Sequence, residues 1–268
     1  MIPGPPKECV AMFSLSAVPY LKALSDAEIV SHSVRIFGIG ESTVDQMFRD
    51  EMNSMENPTM APYAKECDCL LQVTAKAKSD EEAEMMTRPV IEHIKSTLGE
   101  YVYGIDVECI EEALIKLLEE RKLSFSAAES CTGGEVAKRF TDIPGASSCF
   151  RGGVVTYTNE AKQKLLGIDG ELLEQYGAVS YPVAAEMAEK VRALLGTDLA
   201  VGITGLAGPD GDGVNEVGTG FVSLATENET FVRELHLGSE RSRSYIRRMS
   251  GNHAFDMMRR YLTGLKVI

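Results

Sequence analysis

The chain has 268 residues, 44% of them hydrophobic and 25% charged, which suits an ordinary folded protein with room for two small cores. Its formal net charge of -13 opposes attraction to nucleic acid or an anionic membrane, and neither half carries the basic excess of a nucleic-acid binder. No apolar run approaches the roughly 20 residues of a membrane span, and the opening Met1-Ile2-Pro3-Gly4-Pro5-Pro6-Lys7 lacks the basic head and apolar stretch of a secretion signal, so a cytoplasmic location is expected.

The opening Pro3-Gly4-Pro5-Pro6 reads as a turn, because proline neither donates to a sheet nor starts most elements cleanly. From His32 to Phe37 the residues alternate as a short strand, and Glu41 to Met52 suits a helix. Leu71, Val73, Ala75 and Ala77 alternate with polar residues, again a strand. Ser79 and Glu82 form a capping box that opens a helix to about Leu98, with a kink expected at Pro89. Tyr101-Val102-Tyr103 closes a small α+β domain that ends near Val107.

A second pattern starts with an amphipathic helix whose Ile110, Leu114, Leu117 and Leu118 share one face. A strand from Ser124 to Ala128 runs into Ser130-Cys131-Thr132-Gly133-Gly134, and Glu135 to Phe140 is helical. A strand over Val154 to Tyr157 leads into a helix from Asn159. Ser180 and Pro182 open a helix to about Leu195, and Leu199 to Thr204 is a buried-type strand. After a glycine-rich loop, Gly220 to Ala225 and Thr230 to Leu237 make a hairpin, and a last helix covers Arg243 to Leu262. Alternating strands and helices imply an α/β layered domain with a mixed sheet.

Six cysteines are scattered, and only Cys67 and Cys69 lie close together. That spacing, with no histidine near it, does not suit a metal cluster, so reduced, mostly buried thiols are expected and no metal or cofactor.

Three strand-ending loops carry the unusual residues, and ligands of open α/β sheets bind at such ends. Ser130 sits between a strand and a helix, where it is either an ordinary N-cap or a nucleophile. The N–H groups of Thr132, Gly133 and Gly134 would then hold an oxyanion, and Cys131 competes for the nucleophile's role. Histidine, the usual base, is badly placed: His32 and His93 lie in the first domain. Lys162 becomes the third helical residue if Asn159 caps that helix, where the helix dipole disfavours its charge; it is either a solvated lysine whose stem covers apolar surface or a base. The loop carrying Thr204, Gly205, Ala207 and Gly208 is not a P-loop; it is a mobile turn or an amide cradle for phosphate or ribose. Arg241, Arg243, Arg247 and Arg248 cluster on the last helix, with Arg243 and Arg247 on one face, as a solvated basic surface or a clamp for an anion.

At Ala128-Glu129-Ser130-Cys131-Thr132-Gly133-Gly134, Thr156-Tyr157-Thr158-Asn159-Glu160-Ala161-Lys162 and Gly205-Leu206-Ala207-Gly208-Pro209-Asp210-Gly211 the sequence resembles the C-terminal amidase domain of the competence/damage-inducible CinA family. The likeness covers Glu108 to Ile268, and Gly177-Ala178-Val179-Ser180 and Gly218-Thr219-Gly220 add to it. The resemblance implies hydrolysis of nicotinamide mononucleotide to nicotinic acid mononucleotide and ammonia, with Ser130 as nucleophile, Lys162 as base and Tyr157, Asn159, Thr204 and Arg243 lining the pocket. Residues 31–107 resemble the family's KH-like middle domain, with Gly38-Ile39-Gly40 in place of the RNA-clamping GXXG, so no RNA partner is expected. Residues 1–30 resemble a linker and the end of a molybdopterin-binding-like first domain that is otherwise missing, so the pyrophosphatase activity linked to that domain is not expected. The partners implied are a small nucleotide and, through the first domain, a second copy in a homodimer. The competing reading is a non-catalytic nucleotide-binding module.

Overall fold

The computed structural model describes residues 4–65 and 67–268. The chain divides into two compact units, Met1–Asp106 and Val107–Ile268.

The first unit opens with helical segments α1 (Pro6–Met12), a π-helical turn (Phe13–Ala17) and α2 (Val18–Ala23). The expected turn at Pro5-Pro6 is therefore a helix start, because a proline in the first turn loses only an N–H that has no partner there; Pro3 lies outside the described residues. The unit's sheet contains β1 (Glu28–Ile36), β2 (Thr59–Lys65), β3 (Asp68–Ala77) and β4 (Val102–Ile105), in the antiparallel order β2-β3-β1-β4. The strand β2 escaped the sequence reading because it contains Pro62, which a sheet tolerates at an edge, and β2 is an edge. Helices α3 (Glu41–Ser54) and α4 (Asp80–Leu98) bring Val44, Phe48, Ile91, Ile94 and Leu98 onto Val34, Ile36, Leu71 and Val73 to form the core. Ser79 caps α4, its hydroxyl accepting from the Glu82 N–H at 3.3 Å, and the helix continues unbroken through Pro89.

The second unit is built on a five-stranded mixed sheet. Its strands are β5 (Phe125–Glu129), β6 (Phe150–Val155), β7 (Leu199–Gly205), β8 (Thr219–Ala225) and β9 (Thr230–His236), ordered β6-β5-β7-β8-β9. β5 runs parallel to β6 and β7, whereas β7-β8 and β8-β9 are antiparallel. The helices of this unit are α5 (Ile110–Arg121), α6 (Glu135–Thr141), α7 (Asn159–Ala161), α8 (Gly170–Tyr176), α9 (Tyr181–Leu195) and α10 (Arg243–Thr263). The short α8, capped by Asp169, was not foreseen.

Alternation along the central strands sends neighbours to opposite faces. Ala128 and Ala200 pack with Val183, Met187 and Val191 of α9. A Cβ on Gly202 would stand 2.6 Å from the Ala184 carbonyl oxygen and 2.7 Å from the Ala188 nitrogen, so glycine is what lets α9 lie this close. On the other face, the Phe125 ring meets Phe140 of α6 at 4.5 Å, and Phe140 meets Phe255 of α10 at 6.0 Å. A sheet covered on both faces leaves its strand ends as the place where side chains can reach solvent and one another.

Candidate active site

Ser130 continues the line of β5, its N–H donating to the Ile203 carbonyl of β7 at 2.9 Å. Its side chain is thereby fixed by the sheet rather than by a loop. Lys162 arrives from the end of the neighbouring strand. Thr158 caps α7, its hydroxyl accepting from the Ala161 N–H at 3.1 Å, and the chain enters a π-helical turn at Lys162–Leu166. The cap is thus Thr158 and not Asn159, which puts Lys162 one residue deeper than the sequence reading placed it.

The two side chains meet: Lys162 Nζ lies 2.9 Å from Ser130 Oγ and donates to the Thr156 carbonyl oxygen at 2.9 Å. Ser130 is 7% exposed and Lys162 1%. Among the described residues no carboxylate lies within ion-pair distance of the amine. Burial is the larger effect, opposed only in part by the neighbouring Cys131, and pulls the Lys162 pKa down to about 8. Removal from water, rather than the helix dipole, is the cause. Burial also pushes the Cys131 thiol up to about 11. At neutral pH Cys131 is a protonated thiol, a poor nucleophile beside a serine that already touches an amine.

The pair opens into a cavity of 310 Å³, within the range of about 300–1,000 Å³ for small-molecule sites. Tyr157, Asn159, Thr204, Gly205, Ala207, Gly208 and Arg243 line it, together with Cys131, Thr158, Ala178, Val179, Leu206 and Asp210. Thr204 spends its hydroxyl on the Ala178 carbonyl at 2.7 Å, tying the end of β7 to the turn before α9. Arg243 stands at the rim, where it donates to the Gly208 carbonyl at 2.5 Å and to the Tyr157 hydroxyl at 2.9 Å.

Four other expected residues stand outside the cavity, and three of them are engaged elsewhere. Thr132, Gly133, Gly134 and Arg247 are not among the cavity's lining residues. The Gly133 N–H donates to the Ser130 carbonyl at 3.0 Å and the Gly134 N–H to the Glu129 carboxylate at 3.0 Å, so neither is available to an oxyanion. The amides of Cys131 and Thr132 lie against the Cys131 sulfur, a weak acceptor. Arg247 grips the Thr132 carbonyl through Nε at 3.1 Å and Nη2 at 2.5 Å, bracing this loop instead of facing substrate. Arg241 lies over the Tyr245 ring at 4.9 Å, so the arginine cluster is divided among separate tasks. No group of three or more potential metal ligands occurs among the described residues, and no helix there is long and apolar enough to cross a membrane.

The family model of the CinA C-terminal domain matches residues 107–262, and that of the damage-inducible protein CinA KH domain matches 31–104. The chain belongs to the CinA family. A putative competence-damage inducible protein of Caldanaerobacter subterraneus subsp. tengcongensis is 46% identical over 268 residues, all of this chain and 64% of that protein. A CinA-like protein of Desulfovibrio desulfuricans is 44% identical over 270 residues, covering 100% of this chain and 63% of the relative. This CinA-family chain thus spans under two thirds of the curated relatives it matches. Among solved structures, the competence/damage inducible protein CihA from Agrobacterium tumefaciens superposes with a TM-score of 0.55 at 34% identity, over 57% of this chain and 93% of that one. A competence or damage-inducible protein from Enterobacter asburiae gives 0.55 at 27% identity, over 57% and 96%. A mixed sheet preceded by a KH-like α+β unit is therefore the architecture of a competence/damage-inducible CinA-type protein.

Proposed function

We propose that the second unit hydrolyses the carboxamide of nicotinamide mononucleotide, giving nicotinic acid mononucleotide and ammonia. The observation that carries this reading is the 2.9 Å contact between a buried serine hydroxyl and a buried amine that faces no carboxylate. One N–H of neutral Lys162 is held by Thr156, which leaves the nitrogen lone pair to take the Ser130 proton. Ser130 Oγ then attacks the carboxamide carbon, and the oxygen's charge is met by the amides of Cys131 and Thr132, which exchange a weak sulfur acceptor for it. Protonated Lys162 returns its proton to the departing nitrogen as the C–N bond breaks, releasing ammonia. Water, deprotonated by the same amine, cleaves the acyl ester and regenerates Ser130. Arg243 at the rim supplies a fork suited to the phosphate of the mononucleotide. A cavity at the small end of its class suits a mononucleotide better than a dinucleotide.

Ammonia release from the mononucleotide, its riboside and NAD, measured with the wild type, Ser130→Ala and Cys131→Ala, tests this. The wild type and Cys131→Ala should turn over the mononucleotide best, and Ser130→Ala should not. Activity retained in Ser130→Ala but lost in Cys131→Ala would move the nucleophile by one residue. Silence of the wild type on all three substrates would end the proposal.

A further inference from the structure

The end of β5 presents two functional groups to opposite sides. Ser130 turns toward Lys162, and Glu129, the residue before it, turns toward α6. Glu129 is 1% exposed, and its carboxylate accepts three backbone N–H groups: Gly134 and Val136 on Oε2, both at 3.0 Å, and Ala137 on Oε1 at 2.9 Å. These belong to the first turn of α6, where donors have no partner inside the helix. The helix needs such an outside cap, because its own N-cap residue is Gly134, which has no side chain and sits at φ +93°. Gly133 precedes it at φ +61°, so two consecutive residues adopt a conformation open mainly to glycine. Between Ser130 and α6 the backbone makes two turn hydrogen bonds of its own, from the Gly133 N–H to the Ser130 carbonyl at 3.0 Å and from the Glu135 N–H to the Thr132 carbonyl at 3.3 Å. Side chains add restraint from two sides: Glu129 holds the far end of the loop, and Arg247 holds the Thr132 carbonyl.

We infer that Glu129 is a positioning residue, whose buried carboxylate pins the first turn of α6 and so fixes the Cys131 and Thr132 amides relative to Ser130 Oγ. The inference rests on the serine–lysine reading above and goes beyond it in one respect. A strand-end carboxylate already fills the place an anion would take at that helix start, so the substrate's phosphate is excluded from it. Glu129 does not line the cavity. Its influence reaches the reaction through the loop, at the moment charge develops on the carbonyl oxygen.

The test compares wild type, Glu129→Gln and Glu129→Ala in the full chain, well below their unfolding midpoints. A fluorophosphonate probe reads acylation of Ser130 without assuming a substrate, and steady-state kinetics on the mononucleotide separate kcat from KM. Glutamine keeps one acceptor oxygen and turns an amino group toward a peptide N–H. It should slow labelling and kcat about tenfold, and alanine about a hundredfold, as small displacements of reacting groups do. KM should stay within about twofold, and the pH midpoint of kcat/KM should not move. Labelling and kcat within threefold of wild type in the alanine variant would overturn the inference and leave the serine–lysine reading standing. A loss confined to KM, or a displaced pH midpoint, would also overturn it, since either would mean Glu129 acts on binding or on the amine's charge. A wild type that neither labels at Ser130 nor hydrolyses the mononucleotide would remove both readings together.

Discussion

Two sheltered bases, one in each unit, have opposite fates. In the first unit, burial lowers the His32 pKa, but Asp106 Oδ2 at 2.6 Å and Glu84 Oε2 at 3.1 Å more than offset it, and the net shift is upward. In the second unit, Lys162 is buried beside a hydroxyl, a carbonyl and the Cys131 sulfur, with no carboxylate in reach, and its pKa falls to about 8. The carboxylates make the difference. A sheltered cation given an anion keeps its proton and serves the fold; one denied an anion becomes a base. Elsewhere in the second unit, buried Arg139 does have a carboxylate partner, Glu111 at 2.6 Å.

Lys162→Met breaks the comparison hardest. Loss of a general base typically costs about 10²–10⁴-fold in rate, so ammonia release should nearly vanish. The same change should stabilise the fold. A folded pKa of about 8 against an ordinary 10.5 means that the folded chain holds this proton less tightly than the unfolded chain. The cost is fully present below about pH 8 and gone above about pH 10.5. It amounts to about 3 kcal/mol, against about 1 kcal/mol for each of the two hydrogen bonds lost. Denaturant titration at pH 7 should show a gain of about 1 kcal/mol that turns into a loss of about 0.5 kcal/mol at pH 9.5. A loss of stability at pH 7 would mean the amine is not strained by burial.

Cys131→Asp would sharpen the point by giving Lys162 the carboxylate it lacks. An opposite charge nearby raises a lysine pKa by about 1–3 units, so kcat/KM at pH 7 should fall at least about tenfold and recover at higher pH. A uniform loss across pH would argue for a steric effect instead. Asp106→Asn does the reverse at His32. Asparagine tolerates the positive φ of 53° at that position and can still accept the Ser33 N–H. Since the His32 pKa is raised in the fold, its contribution is complete below the ordinary 6.5 and is lost as pH rises through the folded value. The variant should therefore be less stable at pH 5.5 by under about 1 kcal/mol and unchanged at pH 9. Equal losses at both pH values would show that the proton plays no part.

Periodicity and caps revealed most of the second unit, because its strands are buried runs and its helices begin at recognisable residues. They placed Ser130 at a strand end and Lys162 at a helix start. They erred by one residue at the cap, where Thr158 and Asn159 are both competent, and they named the helix dipole where desolvation acts, since burial of one side chain is a tertiary property. Glu129 was invisible for a similar reason. A glutamate ending a strand looks solvated until the helix five residues later folds back onto it. Arg243 and Arg247 share a helix face, and only the position of the Thr132 carbonyl decides that one faces the cavity and the other braces a loop. Proline at an edge hid β2, a strand whose sheet order could not be read from its own residues.

The central claim is that an uncharged amine can exist beside the Ser130 hydroxyl near neutral pH. Titration of the Lys162 ε-carbon by NMR, assigned by its loss in Lys162→Met, measures this directly. A midpoint near 8, well below that of the other lysines, is the predicted result. A midpoint at or above the ordinary 10.5 would contradict the account.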